Sequence, residues 1–383
     1  MPPTTRLARA NWAFSHVFAL PELWALVAKH SWVVGAWRLT GVCRVARMGA
    51  KEWLRTLPGL VVCGGHIAGG EITSEVWRLN LGELLWERMP NLARGRYLHA
   101  CCAVRGRVVV LGGQVGGDDE SDTEEEDEVT ASVDILGYDS CKKQVLPPLS
   151  CGPIYGAATV AIQESESELG QVLLIGGWFE GGRDSSAVLK VDLATGVCTA
   201  QPSLLSQHGV IVGCTAARLA DGRIICVGMN YAHPNILQGT AQGLELPPPE
   251  LASPSEASWQ WRCLPGLSVG RAFGGGCVLS DGRFAVFGGS TFCSLRMTHI
   301  DTPTSSCEAL TRDGNIERWD PLPPMHEARR FFACAAIGGC VIAAGGYGSI
   351  TAEVYEEALG RWRRLPCNLP HAGQLYAMGS AVM

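Results

Sequence analysis

From residue 60 onward the chain repeats one hydrophobic pattern: four apolar residues in a row, stopped by glycine. The runs are Leu60-Val61-Val62-Cys63, Val108-Val109-Val110-Leu111, Val172-Leu173-Leu174-Ile175, Ile224-Ile225-Cys226-Val227, Phe284-Ala285-Val286-Phe287 and Val341-Ile342-Ala343-Ala344. Gly64-Gly65, Gly112-Gly113, Gly176-Gly177, Gly288-Gly289 and Gly345-Gly346 end five of them, and Gly228-Met229 ends the fourth. The spacing is 48 to 64 residues, longer than a heptad and shorter than a domain, which marks a repeat architecture. A short continuous apolar run predicts a strand covered on both faces. Alternating small-residue stretches such as 100–104 and 333–337 predict a neighbouring strand.

A second landmark keeps the same beat. A tryptophan stands four residues before a proline in Trp86/Pro90, Trp261/Pro265, Trp319/Pro323 and Trp362/Pro366, and Lys143/Pro147 and Cys198/Pro202 keep the proline alone. Each unit is thus predicted to hold four strands. The second ends at the glycines, where the backbone turns tightly, and the fourth carries Trp and closes at Pro, which a strand terminus tolerates. Such a sheet cannot bury both faces alone, so the units stack around an axis. The first unit begins at its second strand, whereas an orphan strand over 374–382 follows the last. Pairing these two seals the ring and removes its exposed edges.

This grammar resembles that of kelch-repeat β-propellers over residues 58–383. The points of likeness are the glycine pairs, Tyr138 and Tyr355, the tryptophans, and Arg94 or Arg96, Arg271 and Arg329 after the Pro-Leu/Met step. The resemblance implies an all-β fold: a six-bladed kelch β-propeller closed by a C-terminal strand. The fourth unit is the most degenerate, with its single glycine and a Pro/Ser-rich insertion at 246–258.

Residues 1–57 lack the repeat and are predicted to form a small α-helical N-terminal module. Pro21 suits a first helical turn, followed by Leu23, Trp24, Leu26 and Val27. A second helix over 37–47 would place Leu39, Val42, Cys43 and Ala46 on one face and arginines on the other. Some 40 residues are too few to be very stable alone, so the module must lean on the ring or on a partner. The segment is similar to an F-box. The similarity implies that Leu20, Pro21, Leu23, Leu26, Leu39, Val42, Cys43 and Arg44 dock a Skp-family adaptor of a cullin ubiquitin ligase, while the ring holds a substrate protein. It departs from the pattern where Val45-Ala46-Arg47 replaces a basic-aromatic pair. Two alternatives are a helical cap packed on the ring and, from Arg6 and Arg9 without an early acid, a transit peptide.

Composition refines the picture. No apolar run approaches the roughly 20 residues that span a bilayer, so no membrane is expected. The 16 cysteines among 383 residues sit largely inside apolar runs, where a thiol acts as a small hydrophobe, and no C-x-x-C occurs. Both features suit a reducing cytoplasmic or nuclear compartment. The net charge of −6 hides a run at 118–128 with nine acids and no base. This insertion (116–130) is expected to be a self-repelling loop, or a docking segment tunable at Ser121 or Thr123. With no basic stripe, nucleic acid is not an expected partner.

Catalytic signatures are missing: there is no P-loop and no nucleophile elbow. His99, His208, His326 and His371 stand near the starts of first strands, but without ligand spacing. A kelch-type copper oxidase is therefore the weakest alternative, and neither a metal nor a cofactor is expected. A binding rim is the better candidate. Loops entering first strands carry Arg94, Arg96, Tyr97, Tyr155, His208, Arg271, Arg329 and Arg330, together with Phe273 and Phe331. Loops leaving second strands carry Trp178, Phe179, Arg183, Tyr231, Phe292 and Tyr347. Arginine and aromatic residues dominate binding hot spots, and this mixture suggests an acidic or phosphorylated protein ligand. The arginines repeated at one position, Arg94, Arg271 and Arg329, could equally serve the contacts between blades.

Overall fold

The structure, a computed structural model, describes residues 16–67, 69–116, 128–137, 144–162, 169–180, 183–184, 186–205, 211–230, 239–245, 260–295, 298–314, 316–370 and 374–383. Six four-stranded antiparallel sheets are paired in it. Strands a to d of blade 1 are Gly379–Val382, Leu60–Cys63, Val76–Asn80 and Leu85–Met89; those of blade 2 are Ala100–Val104, Arg107–Leu111, Val133–Leu136 and Gln144–Leu146. Blade 3 holds Ala158–Ile162, Gln171–Ile175, Val188–Asp192 and Cys198–Gln201; blade 4 holds Ile211–Arg218, Ile224–Asn230, Gly239–Glu245 and Gln260–Cys263. Blade 5 holds Gly275–Val278, Phe284–Phe287, Cys307–Asp313 and Ile316–Leu322; blade 6 holds Ala333–Ile337, Cys340–Ala344, Ala352–Glu356 and Arg361–Arg364.

The predicted seam is present. Leu60 pairs with Val382 and Cys63 with Gly379, and Gly59 and Met383 exchange backbone hydrogen bonds of 2.7 and 3.0 Å. Strand b is buried along its whole length in blades 1, 5 and 6, as a strand covered on both faces must be.

Six equivalent units, however, were expected, and only five sheets share the regular one. In blades 1, 2, 3, 5 and 6 both glycines of the pair have positive φ, for example 59° and 105° at Gly64 and Gly65, a region that side chains disfavour. In blade 4 Met229 replaces the second glycine. Strand b there runs on to Asn230, and a register shift lies between Val212 and Thr215. Counted by hydrogen-bonded ladder the ring has six sheets, but counted by the regular unit it has five.

The second glycine also explains why blades stay together. Its N–H donates to the loop of the next blade: Gly65 to the Arg96 carbonyl at 2.8 Å, Gly113 to Ile154 at 2.8 Å, Gly289 to Arg329 at 2.7 Å and Gly346 to Leu375 at 3.0 Å. A Cβ on Gly65 would lie 2.7 Å from the Tyr376 carbonyl oxygen, so that approach excludes any other residue.

Three helices whose residues are all described precede the ring: α1 (Pro21–His30), α2 (Trp32–Leu39) and α3 (Arg44–Thr56). The single helix expected over 37–47 is broken. Leu39 ends α2, and Cys43 caps α3 with its Sγ, which accepts from the Ala46 N–H at 3.3 Å. Helices α1 and α3 cross at Gly49, where a Cβ would lie 2.0 Å from the Pro21 carbonyl oxygen. Ala28, Val33, Ala36, Ala50 and Leu54 join the same apolar cluster as Leu60, Leu79, Ile337 and Cys340 of blades 1 and 6. Polar ties fix the seat: Trp37 Nε1 donates to the Leu81 carbonyl at 2.7 Å, Arg38 pairs with Glu356 at 2.7 Å, and Lys51 and Arg55 share Glu83. These contacts fall on the a–b and c–d turns. No helix among the described residues is long and apolar enough to cross a membrane.

Candidate functional site

The d–a and b–c loops open on the opposite end of the ring from the helices, because antiparallel strands alternate their turns. Around this mouth, one residue per blade reaches the axis with positive φ: Leu98, Gly156, Gly213, Phe273, Phe331 and Ala377. The Ala377 N–H donates to Phe331, Phe331 to Phe273, Phe273 to Gly213, Gly156 to Leu98 and Leu98 to Ala377, at 2.7 to 3.0 Å. The result is a hydrogen-bonded collar. Holding four side-chain residues in a left-handed conformation costs energy, and their consecutive backbone bonds keep them there.

Rigid aromatic side chains stand on the collar. His66 packs against Tyr97 with ring centroids 4.0 Å apart and stacks on Tyr376 at 5.2 Å; Tyr376 meets Tyr347 at 5.1 Å. The Arg330 guanidinium lies 4.4 Å from the Tyr347 ring centroid and 5.9 Å from that of Phe331. Phe331 stacks on Phe273 at 4.3 Å, Phe273 on Trp178 at 6.5 Å and Trp178 on Tyr155 at 5.3 Å. An unbroken arc therefore runs from Tyr97 through blades 1, 6 and 5 to Tyr155. Edge and face contacts of this kind hold each ring in place, and the cation over Tyr347 adds attraction.

Of the expected rim residues, Tyr97, Tyr155, Trp178, Arg330 and Tyr347 join the arc, and Tyr347 is 47% exposed. Arg94 is exposed at the mouth, paired with Glu128, the last acid of the charged run, at 3.2 Å. Phe179 packs instead into the apolar cluster between blades 2 and 3. His208 and Tyr231 lie outside the described residues. Arg183 and Phe292 lie on short strands at the mouth.

Arg96, Arg271 and Arg329, expected on the rim, are instead buried, at 1%, 2% and 0% exposed. Each donates to the carbonyl of the first glycine of its blade's pair, at 3.1, 3.0 and 2.8 Å to Gly112, Gly288 and Gly345. Each also donates to the carbonyl of the residue just ahead of strand c (Ser132, Ser306, Thr351) and meets a buried acid: Asp134 at 3.4 Å, Glu308 at 2.6 Å and Glu353 at 2.9 Å. The acids accept in turn from loop N–H groups of Ala93, Ser268 and His326. Buried charge needs such pairing. With three arginines spent inside, the mouth is aromatic more than basic, and the argument for an acidic or phosphorylated ligand loses its main support.

Several participants were not anticipated. His66 carried no expectation and Tyr376 only that of belonging to the closing strand; they lie far apart in the sequence and meet only where that strand returns to blade 1. The three acids did carry a signal: Thr130-Ala-Ser132-Val-Asp134, Thr304-Ser-Ser306-Cys-Glu308 and Ser349-Ile-Thr351-Ala-Glu353 repeat one alternation of hydroxyls and acid.

Of the four histidines near first strands, two are among the described residues. His99 is buried between blades 1 and 2, His326 contacts Glu353 in blade 6, and His208 and His371 lie outside the described residues. Among the described residues no group of three or more His, Cys, Asp or Glu could hold a metal ion.

On the helical module, Leu20, Leu26 and Val42 are 51%, 57% and 61% exposed, and Cys43 and Arg44 are also exposed. Pro21 and Leu23 are half-buried, whereas Leu39 packs against the shared core. Val17 to Met48 contains eight of the fourteen exposed large hydrophobic side chains found among the described residues.

Antiparallel four-stranded sheets set in a ring around an axial channel, five of the six ending strand b at a glycine pair, define a β-propeller with kelch-like repeats. No family model matches the chain. The chain is similar to Kelch-like protein 33 of Homo sapiens, 31% identical over an alignment of 232 positions that covers 52% of this chain and 40% of that relative. It thus spans well under half the length of the relative it matches. Among solved structures it is similar to the structure of YjhT, with a TM-score of 0.59 and 13% identity over 76% of this chain and 91% of that one. That likeness shows the fold.

Proposed function

We propose that this chain is a non-catalytic protein-binding module with two working surfaces: the aromatic arc captures a protein ligand, and the helical segment presents it to a Skp-family adaptor of a cullin ubiquitin ligase. The observation that carries the first half is the arc itself, large rigid rings held on a hydrogen-bonded collar. Pre-ordered rings lose little freedom when they bind, and such residues dominate hot spots. The second half rests on apolar side chains left in water. Leu26 on α1 and Leu20 and Val42 in the turns beside the helices remain exposed, although the three helices bury Ala28, Val33 and Leu54 in the cluster shared with the ring. A face that only capped the propeller would be polar on its outer side. Because the two surfaces lie at opposite ends of the blades, both can be engaged at once.

Affinity capture from cell extract, followed by mass spectrometry, tests both halves with the full chain and two variants. Leu26→Asp with Val42→Asp should lose the adaptor and cullin and keep the ligand; Trp178→Ala with Tyr347→Ala should do the reverse. If the adaptor is never recovered while a ligand is lost with the rim variant, the chain is a scaffold without ubiquitin function. If neither variant changes the captured proteins, both surfaces are wrong.

A further inference from the structure

Cys63 ends strand b of blade 1, and Cys101 lies on strand a of blade 2, across the boundary between the two blades. Their Sγ atoms are 3.7 Å apart, and His99 Nε2 lies 3.5 Å from Cys63 Sγ. Gly379, the register partner of Cys63 on the C-terminal strand, yields its side-chain space to this cluster. A Cβ there would lie 2.4 Å from His99 Nε2 and 2.8 Å from the Cys101 Cβ. Cys63 is buried; Cys101 is part-exposed and lines the axial cavity of about 470 Å³ that strand a of every blade borders.

The two thiols differ in character. The hydrogen bond from Cys101 lowers the Cys63 thiol to about 5, aided by His99 and by the charge of Arg96, against the opposing effect of burial. The same hydrogen bond and burial raise Cys101. A thiolate beside a positive group with a second thiol at contact is the arrangement that oxidises selectively. Other thiol pairs hydrogen-bond in the ring as well: Cys334 raises Cys277 and Cys214 raises Cys226, each with burial, while Cys151 lowers Cys198 to about 6. The Cys63–Cys101 pair differs from Cys151–Cys198 in that its second thiol borders the axial cavity.

We infer that Cys63 and Cys101 form an oxidisable dithiol, converted by a small hydroperoxide entering through the axial cavity into a disulfide that staples blade 1 to blade 2. The Cys63 thiolate attacks one peroxide oxygen. The O–O bond breaks, the departing oxygen takes a proton and leaves as alcohol or water, and Cys63 becomes a sulfenic acid. Cys101 sulfur then attacks the Cys63 sulfur; the S–O bond breaks, and hydroxide leaves as water with the Cys101 proton. Two thiols are oxidised and one peroxide is reduced. The sulfurs need to close by about 1.7 Å to reach bonding distance, which side-chain rotation can supply.

Peptide mapping of the full chain tests this. The reduced protein is treated with stepwise hydrogen peroxide, alkylated, digested and analysed without reductant. The inference requires a cross-link between the peptide holding Cys63 and peptide 97–105. That link must be lost in Cys63→Ser and Cys101→Ser and kept in Cys102→Ser, and dimedone must add to Cys63 in the Cys101→Ser chain. It is overturned if Cys63 remains a free thiol after Cys277 or Cys334 has been oxidised, or if the link persists in Cys101→Ser. Where a serine variant fails to fold, fragment ions of the wild-type cross-linked peptide decide the matter by placing the link on Cys101, as required, or on Cys102, which overturns the inference.

Discussion

The indole Nε1 of Trp362 donates a 2.9 Å hydrogen bond to the carbonyl oxygen of Pro323, tying the last strand of blade 6 to the end of blade 5. The same bond joins Trp319 to Pro265 at 2.8 Å and Trp261 to Pro202 at 2.9 Å. The repeated Trp and Pro therefore work between units: each tryptophan reads the proline of the blade before it. Trp86 breaks the series, for its Nε1 is buried with no partner among the described residues, and its ring packs on the core shared with the helices.

This difference predicts opposite outcomes for one substitution. Trp362→Phe removes a donor and strands the Pro323 carbonyl, which should cost about 1–2 kcal/mol. Trp86→Phe removes a donor that was already unsatisfied and should be neutral or stabilising. Urea midpoints of the two variants, measured side by side, check the contrast.

The buried ion pairs predict a large loss when one partner is removed. Arg329→Met leaves Glu353 buried without its cation and should destabilise the fold by about 3–5 kcal/mol. The double variant Arg329→Met with Glu353→Leu should recover much of this, because no charge then remains unpaired. A double-mutant cycle in denaturant measures the coupling.

Acid sensitivity follows from the same residues. Burial alone would raise the Glu353 carboxyl, but the His326 backbone N–H, the Arg329 guanidinium and the His326 ring hold it below its ordinary 4.5. Glu327 is held low in the same way: bonds from Ser349 and Thr351 and the charges of Arg329 and Arg364 outweigh burial. A carboxylate whose folded pKa is depressed stabilises the fold fully above its unfolded value, and that stability is lost as pH falls through the folded one. Stability should thus hold to near pH 5 and decline steadily below about 4.5. Glu353→Gln should flatten that decline, as read from urea midpoints at successive pH values.

How much of this was legible in the sequence varies by residue. The glycine pairs and the closing strand could be read directly, because a backbone with positive φ admits few residues and an unpaired edge demands a partner. The roles of Arg96, Arg271 and Arg329 could not be decided. A repeated arginine looks the same whether it faces solvent or a buried acid, and only the position of Asp134, Glu308 and Glu353 on strand c separates the two. The aromatic arc was half legible: Trp178 and Tyr347 stand out from the repeat, whereas His66 and Tyr376 acquire meaning only when residues 310 apart in the chain are brought together. The broken helix at Leu39–Arg44 was missed because Val42 and Cys43 fit a helical period, and periodicity does not register a turn at Gly41.

The C-terminal strand carries its own prediction. Removing residues 375–383 leaves Leu60 to Cys63 as an unpaired apolar edge and opens the seam. Such a chain should lose cooperative unfolding and aggregate, whereas single alanine substitutions at exposed blade turns should not. Thermal denaturation followed by light scattering distinguishes the two.

The helices constrain how any partner can be tested. Because Val33, Ala36 and Leu54 complete the apolar cluster that contains Leu60, Leu79 and Ile337, a chain beginning at Leu57 exposes core as well as losing a docking face. Its failure to bind an adaptor would not separate the two causes. Trp37→Ala isolates the packing contribution: it removes the bond to the Leu81 carbonyl and the ring packed on the cluster, and should lower stability by about 3 kcal/mol or more. Val42→Asp, at a side chain 61% exposed, should leave the unfolding midpoint within about 0.5 kcal/mol of the parent. If Val42→Asp destabilises the ring as much as Trp37→Ala does, the outer face of the helices is not free for a partner, and the docking role assigned to it falls.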